Sequence, residues 1–275
     1  MKKQLSVLLV LLIILIPTMS LAEQSSATTE IDSSIDTDFD TARAIASFME
    51  THYDITVLIG PECDNASVQE WFTLGSNPRG RSPFLNMLGG HSYTDEIQMI
   101  DDAFSVYPPE FFSKFKCIEA PKGLRILLPL QILDTDYNNS VAGVTTIDDG
   151  YYNVFLAVGM FVDLNIHHEI WHAMEYRITS DNPHAFDEWS ELNPDGFEYL
   201  EEHFNQDPWE QAEAQEDWFA RGYSKVADYE DRATTIEALF RHDPDWWSTR
   251  PHLQKKLDFL IETAEPIFGK VYFYE

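Results

Sequence analysis

The sequence predicts an α+β domain: a small, mostly antiparallel sheet, then a helix carrying H-E-x-x-H, then a helical C-terminal half. Three observations lead there. Between residues 124 and 160 the runs "LRILLPLQIL", "GVTTID" and "YYNVFLAVGM" are rich in β-branched and aromatic residues, the composition of strands. From about residue 163 the apolar residues recur at helical spacing, with breaks at Asn182-Pro183, Asn193-Pro194 and Asp243-Pro244. No internal repeat is visible, so solenoid architectures are set aside.

The chain begins with Lys2 and Lys3, then the apolar run "LSVLLVLLIILI" up to Pro17, then "SLA" before Glu23. A charged start, a short apolar run and small residues are the pattern of an export signal, expected over residues 1–22. The run is short for a membrane span and is broken by proline. The mature protein is therefore expected to be secreted or periplasmic, without stable membrane association. Residues 23–40 are polar and acidic without a helical stripe, and read as a linker. Asp36, Asp38 and Asp40 imitate the start of a calcium loop, but Thr41 stands where the loop needs glycine and Ser47 where it needs glutamate. Calcium is not expected there; the run reads as a solvated cap on the helix that follows. One domain is expected over residues 41–275, its first helix being "TARAIASFMETHY".

Residues 94–116 read as a helix stopped by Pro108 and Pro109, followed by a short second helix. Cys63 and Cys117 could form a disulfide in an oxidising compartment. Asp148-Asp149-Gly150 suits a tight hairpin turn between the last two strands. Gly159 ends the last strand, and a helix over about 163–179 follows. The strand "YYNVFLAV" is expected to border a cleft, where an edge could pair with an extended peptide. The chain has 18 basic and 47 acidic residues, a net charge of −29. So acidic a protein repels phosphate, which excludes nucleic acid and anionic membrane as natural partners.

The helix over 163–179 holds "NIHHEIWHAMEY", with three histidines and two glutamates. His168 and His172 are one turn apart, so both imidazoles can face one ion. Glu169 stands beside them, where a carboxylate can take a proton from a water on the metal. Zinc suits this donor set: it polarises a carbonyl and lowers the pKa of its water to about 7. The competing reading, an amphipathic helix with surface histidines, fits poorly with Ile170, Trp171 and Met174, which supply faces for burial. His167 faces away from the pair and reads as an ordinary histidine.

A catalytic zinc needs a third protein ligand. The metzincin extension is excluded, because Glu175 and Ile178 stand where it requires glycine and histidine. Two glutamates compete. Glu191 lies 19 positions after His172, a spacing familiar from zinc aminopeptidases, but Asn193-Pro194-Asp195-Gly196 places it at a helix end. Glu230 lies in the first turns of a segment whose Ala233, Ile236 and Leu239 mark a buried helical face.

The segments "VYPPEFF", "VAGVTT", "HEIWH", "WSELNPDGFEY" and "YSKVADYEDRATTIEALF", spread over about residues 90–265, resemble secreted zinc metallopeptidases of bacteria. More distantly, the chain is similar to the catalytic domain of anthrax lethal factor. That resemblance implies a zincin-like fold of gluzincin type and zinc-dependent hydrolysis of a peptide or protein substrate. In the lethal-factor-like pattern the third ligand opens an E-x-x-A sequence and a tyrosine lies seven residues earlier. Glu230 to Ala233 and Tyr223 match both features. The resemblance thus implies His168, His172 and Glu230 as zinc ligands, Glu169 as general base, and Tyr223 as a hydrogen-bond donor to the oxyanion. Glu175 and Asp231 become candidates for supporting the ligands, exposed surface carboxylates being the other reading. The family often has a glutamate after the alanine; this chain has Thr234. A catalytically inactive binding or toxin-like module that keeps fold and metal is the alternative function.

Overall fold

The computed structural model describes residues 32–66, 72–75, 92–134, 139–200 and 217–270. The expected export signal lies outside them. Four strands form the main sheet: β1 (Thr56–Ile59), β3 (Gly123–Leu128), β6 (Gly143–Asp148) and β7 (Tyr151–Leu156). Their order is β1-β3-β7-β6. A smaller antiparallel sheet has the order β2-β4-β5, from Phe72–Gly75, Gln131–Asp134 and Asn139–Val141.

The main sheet is mixed rather than mostly antiparallel. β3 runs parallel to both β1 and β7, and only β6 pairs antiparallel to β7. The cause is the crossover between β1 and β3, which carries the helices α2 (Tyr93–Phe104) and α3 (Pro109–Ser113) and returns the chain in the same direction. "LRILLPLQIL" is not one strand but two, β3 and β4, in different sheets. Pro129, with no N–H to give a ladder, stands between them. The expected hairpin is present: Asp148 pairs with Tyr151. Asp149 and Gly150 have φ of 53° and 77° between them, the two left-handed positions of a type I′ turn.

The first helix, α1 (Asp32–Tyr53), starts inside the stretch expected to be linker. Asp38 explains part of this, since its carboxylate accepts hydrogen bonds from the Tyr93 N–H at 2.7 Å and the Thr94 N–H at 3.3 Å. It caps the first turn of α2 and so ties α1 to the domain. The remaining helices are α4 (Asp163–Asp181), α5 (Asp228–Arg241), α6 (Pro244–Ser248) and α7 (Pro251–Phe268). No described helix is long and apolar enough to cross a membrane.

Alternation along β3 builds the layers. Leu124, Ile126 and Leu128 join the larger core with the helices, while Leu127 joins Phe155, Val144, Phe72 and Ile132 under the small sheet. The main sheet is therefore covered on both faces, and every residue of β3 is buried. Cys63 and Cys117 do not form the disulfide considered from the sequence; both are free thiols. Cys63 lies in the smaller core and its Sγ donates to the Leu58 carbonyl, whereas Cys117 Sγ lies 3.2 Å from Tyr152 Oη.

Candidate metal centre

Three elements converge: α4, α5 and the edge strand β6. The loop into α4 turns at Gly159, where φ is 76°. Its N–H donates to the buried carboxylate of Glu96 from α2 at 2.8 Å. Asn165 Oδ1 then accepts from the Val162 N–H at 2.9 Å and fixes the first turn of α4.

One turn on, His168 and His172 place their Nε2 atoms 3.1 Å apart. Glu230 Oε2 lies 3.1 Å from His168 Nε2 and 3.8 Å from His172 Nε2. All three residues are 1% exposed or less. The fit to zinc can be judged from these spacings. Ligands at about 2.0–2.1 Å in a tetrahedron stand about 3.3–3.4 Å from one another. Glu230 Oε2 is buried and faces both histidine Nε2 atoms, as a ligand atom aimed at a shared cation does. The cluster of His168, His172 and Glu230 could hold a metal ion.

Burial and neighbouring charge set the protonation of the metal-free cluster. Burial opposes charge on His168, but the Glu230 and Glu237 carboxylates outweigh it and raise its pKa to about 9. Burial, aided by the charge on His168, lowers His172 to about 4. Burial pushes Glu230 upward, yet its bonds to both histidines win and hold it at about 2. His168, His172 and Glu230 would hold a cation through groups that must be deprotonated to bind it, so affinity should fall as pH is lowered.

Glu169 is wholly buried beside the cluster. Thr145 Oγ1, on β6, lies 2.7 Å from Glu169 Oε2 and 3.1 Å from the Glu169 carbonyl. Burial raises the Glu169 carboxyl to about 8, against the pull of His168 and Thr145. Tyr223 Oη donates to Glu230 Oε1 at 3.0 Å, so the tyrosine expected to serve an oxyanion rests on a ligand carboxylate.

Glu191, the competing third ligand, is exposed on a short 3-10 turn, Trp189–Leu192, apart from the cluster. Glu175 and Asp231 are buried rather than surface carboxylates. Glu175 receives two parallel hydrogen bonds from Arg232, at 2.9 and 2.6 Å, joining α4 to α5. Asp231 Oδ2 accepts from Lys256 Nζ at 2.6 Å and from Tyr199 Oη at 2.8 Å. Trp189 and Asn193 both donate to that Tyr199 oxygen, which gives the "WSELNPDGFEY" stretch its place against α5. His167 behaves as expected, buried with its Nδ1 2.9 Å from Tyr107 Oη and its ring stacked on Phe240. The strand at the site is β6, not "YYNVFLAV": β7 lies between β3 and β6, and among the described strands β6 is the edge.

Glu237 was not singled out by the sequence, although it lies two turns after Glu230 on the same helix face. Its Oε2 lies 3.4 Å from His168 Nδ1 and accepts from Arg221 Nη2 at 2.7 Å. Thr234 donates to the Glu230 carbonyl at 2.7 Å and lies 2.8 Å from Ser224 Oγ.

No protein-family model and no curated protein matches the chain. Among solved structures, the chain is similar to a putative zinc-binding metallo-peptidase from Bacteroides caccae. The identity is 14% and the TM-score 0.46, over 89% of this chain and 92% of that one.

Proposed function

We propose that this chain is a zinc-dependent peptide-bond hydrolase of gluzincin type, with a zincin-like fold. Its substrate is a peptide or protein, and the export signal at its N-terminus sends it to the periplasm or the exterior. The observation that carries the reading is the buried convergence of His168, His172 and Glu230 beside Glu169. Zinc, when held there, supplies Lewis-acid polarisation of the scissile carbonyl and a water with a pKa of about 7.

The chain's own groups do the rest. His168 and His172 offer Nε2, and Glu230 offers Oε2. Glu169 takes a proton from the attacking water and returns it to the departing amine. Tyr223 exchanges its bond to Glu230 for one to the oxyanion as charge develops there. β6, at the edge of the main sheet, offers backbone groups to an extended peptide.

Zinc-loaded mature protein is tested against a broad peptide library. Hydrolysis by the wild type and its loss in Glu169→Gln are expected; hydrolysis that survives Glu169→Gln overturns the mechanism. The closure of the centre, with each of its four residues 1% exposed or less, favours a second reading: a metal-holding module without catalysis. Wild type that retains zinc but cleaves nothing in the library decides for that module.

A further inference from the structure

The side chains of "VAGVTT" have no role in the reaction as described, yet the segment lies against the general base. Gly143 takes no left-handed conformation, so its lack of a side chain answers to space rather than to backbone strain. A Cβ there would stand 2.5 Å from Glu169 Oε1 and 2.8 Å from both Cδ and Cγ of that side chain. Two residues along the strand, on the same face, Thr145 Oγ1 lies 2.7 Å from Glu169 Oε2. Thr145 is wholly buried. The other carboxylate oxygen, Oε1, is buried with no hydrogen-bond partner. The two strand residues therefore treat the two oxygens differently: one is tethered, and the other occupies the hollow left by a missing methyl group.

We propose that Gly143 and Thr145 are positioning residues that set the orientation of Glu169, Thr145 by holding Oε2 and Gly143 by making room for Oε1. The inference rests on the peptidase reading for its kinetic consequence, because it makes Oε1 the atom that meets the attacking water. A carboxylate free to rotate would present either oxygen in many directions. One tethered at Oε2 presents Oε1 in a single direction, and orientation of this kind acts on the chemical step rather than on substrate binding. The arrangement also explains how one edge strand serves the site twice, with side chains turned to Glu169 and backbone available to substrate.

Three variants test it: Gly143→Ala, Thr145→Val and Thr145→Ser. What the alanine methyl meets is the end of a flexible side chain, so the carboxyl moves and the backbone stays. Valine keeps the shape of threonine without the donor, and serine keeps the donor. All three should fold and retain wild-type zinc. Gly143→Ala and Thr145→Val should lose kcat by about ten- to a hundredfold at unchanged KM, and Thr145→Ser should recover to within about threefold of wild type. Crystal structures of zinc-loaded Gly143→Ala and Thr145→Val should show the Glu169 carboxyl displaced, with His168, His172 and Glu230 in place. If the carboxyl stays put in both, or kcat is unchanged in both, the positioning role is overturned. A wild type without peptidase activity whose variants nonetheless displace the carboxyl removes the enzymatic reading while leaving the orientation of Glu169 established.

Discussion

Replacing Arg232 by methionine should cost the protein a large part of its stability. Arg232 Nε and Nη2 meet Glu175 Oε2 and Oε1 at 2.9 and 2.6 Å. Both side chains are 4% exposed, so water cannot take the place of either partner. The pair bridges α4, which carries His168 and His172, to α5, which carries Glu230. Methionine keeps the apolar stem that packs near Phe186, over which the guanidinium lies at 4.6 Å, but leaves a buried carboxylate without its counter-charge. Loss of one partner of a buried pair costs about 3–5 kcal/mol. Burial already raises the Glu175 carboxyl, with Arg232 opposing it, and removing Arg232 raises it further. In the variant the carboxyl can escape the cost by taking a proton. The destabilisation should therefore be largest above the raised pKa and shrink as pH falls through it. Replacing both partners, as Glu175→Leu with Arg232→Met, removes the stranded charge and should return stability to within about 1 kcal/mol of wild type. Urea unfolding of zinc-free protein between pH 5 and 8 measures all three. A single variant that costs less than about 1 kcal/mol, or a double variant no better than the single, would refute the reasoning.

Glu237→Gln should leave the fold intact and weaken zinc binding by about 10–100-fold, since the variant loses the charge facing His168 Nδ1; competition with a chelator measures it. Glu96→Gln should change stability with pH. Burial raises the Glu96 carboxyl from 4.5 to about 7 in the folded protein, so its contribution is fully present below 4.5 and lost as pH rises through 7. Glutamine can still accept from the Gly159 N–H, so the variant should match wild type at pH 4 and exceed it by about 3 kcal/mol at pH 8. Urea midpoints that shift equally at both pH values would contradict this. Both cysteines should be alkylated when the unreduced protein is denatured, because neither is in a disulfide; mass spectrometry showing an unlabelled pair would contradict the free thiols.

Much of the centre was legible because its residues follow local rules. His168, Glu169 and His172 share one helix, where spacing alone fixes their faces. The turn at Asp149-Gly150 and the start of α3 at Pro109 are written in residues with narrow backbone preferences. Between Glu191 and Glu230, spacing favoured Glu191 and the E-x-x-A resemblance favoured Glu230; the packing of α5 on α4 brings Glu230 to His168 and His172. Gly143 and Thr145 carried no local signal, because their meaning lies in which helix the edge strand faces. The parallel pairing of β1 with β3 was hidden for a similar reason: "TVLI" is four residues long, and its partner lies beyond two helices. The acidic start of α1 read as a linker because its anchor is long-range, from Asp38 to the N–H groups of Tyr93 and Thr94.

Zinc content and affinity of the purified mature protein, measured beside Glu230→Gln and Glu191→Gln, test the metal centre most directly. The geometry predicts one zinc per chain in wild type, retained by Glu191→Gln at unchanged affinity and held far more weakly by Glu230→Gln. A folded wild type that takes up no zinc, or a loss confined to Glu191→Gln, would contradict it.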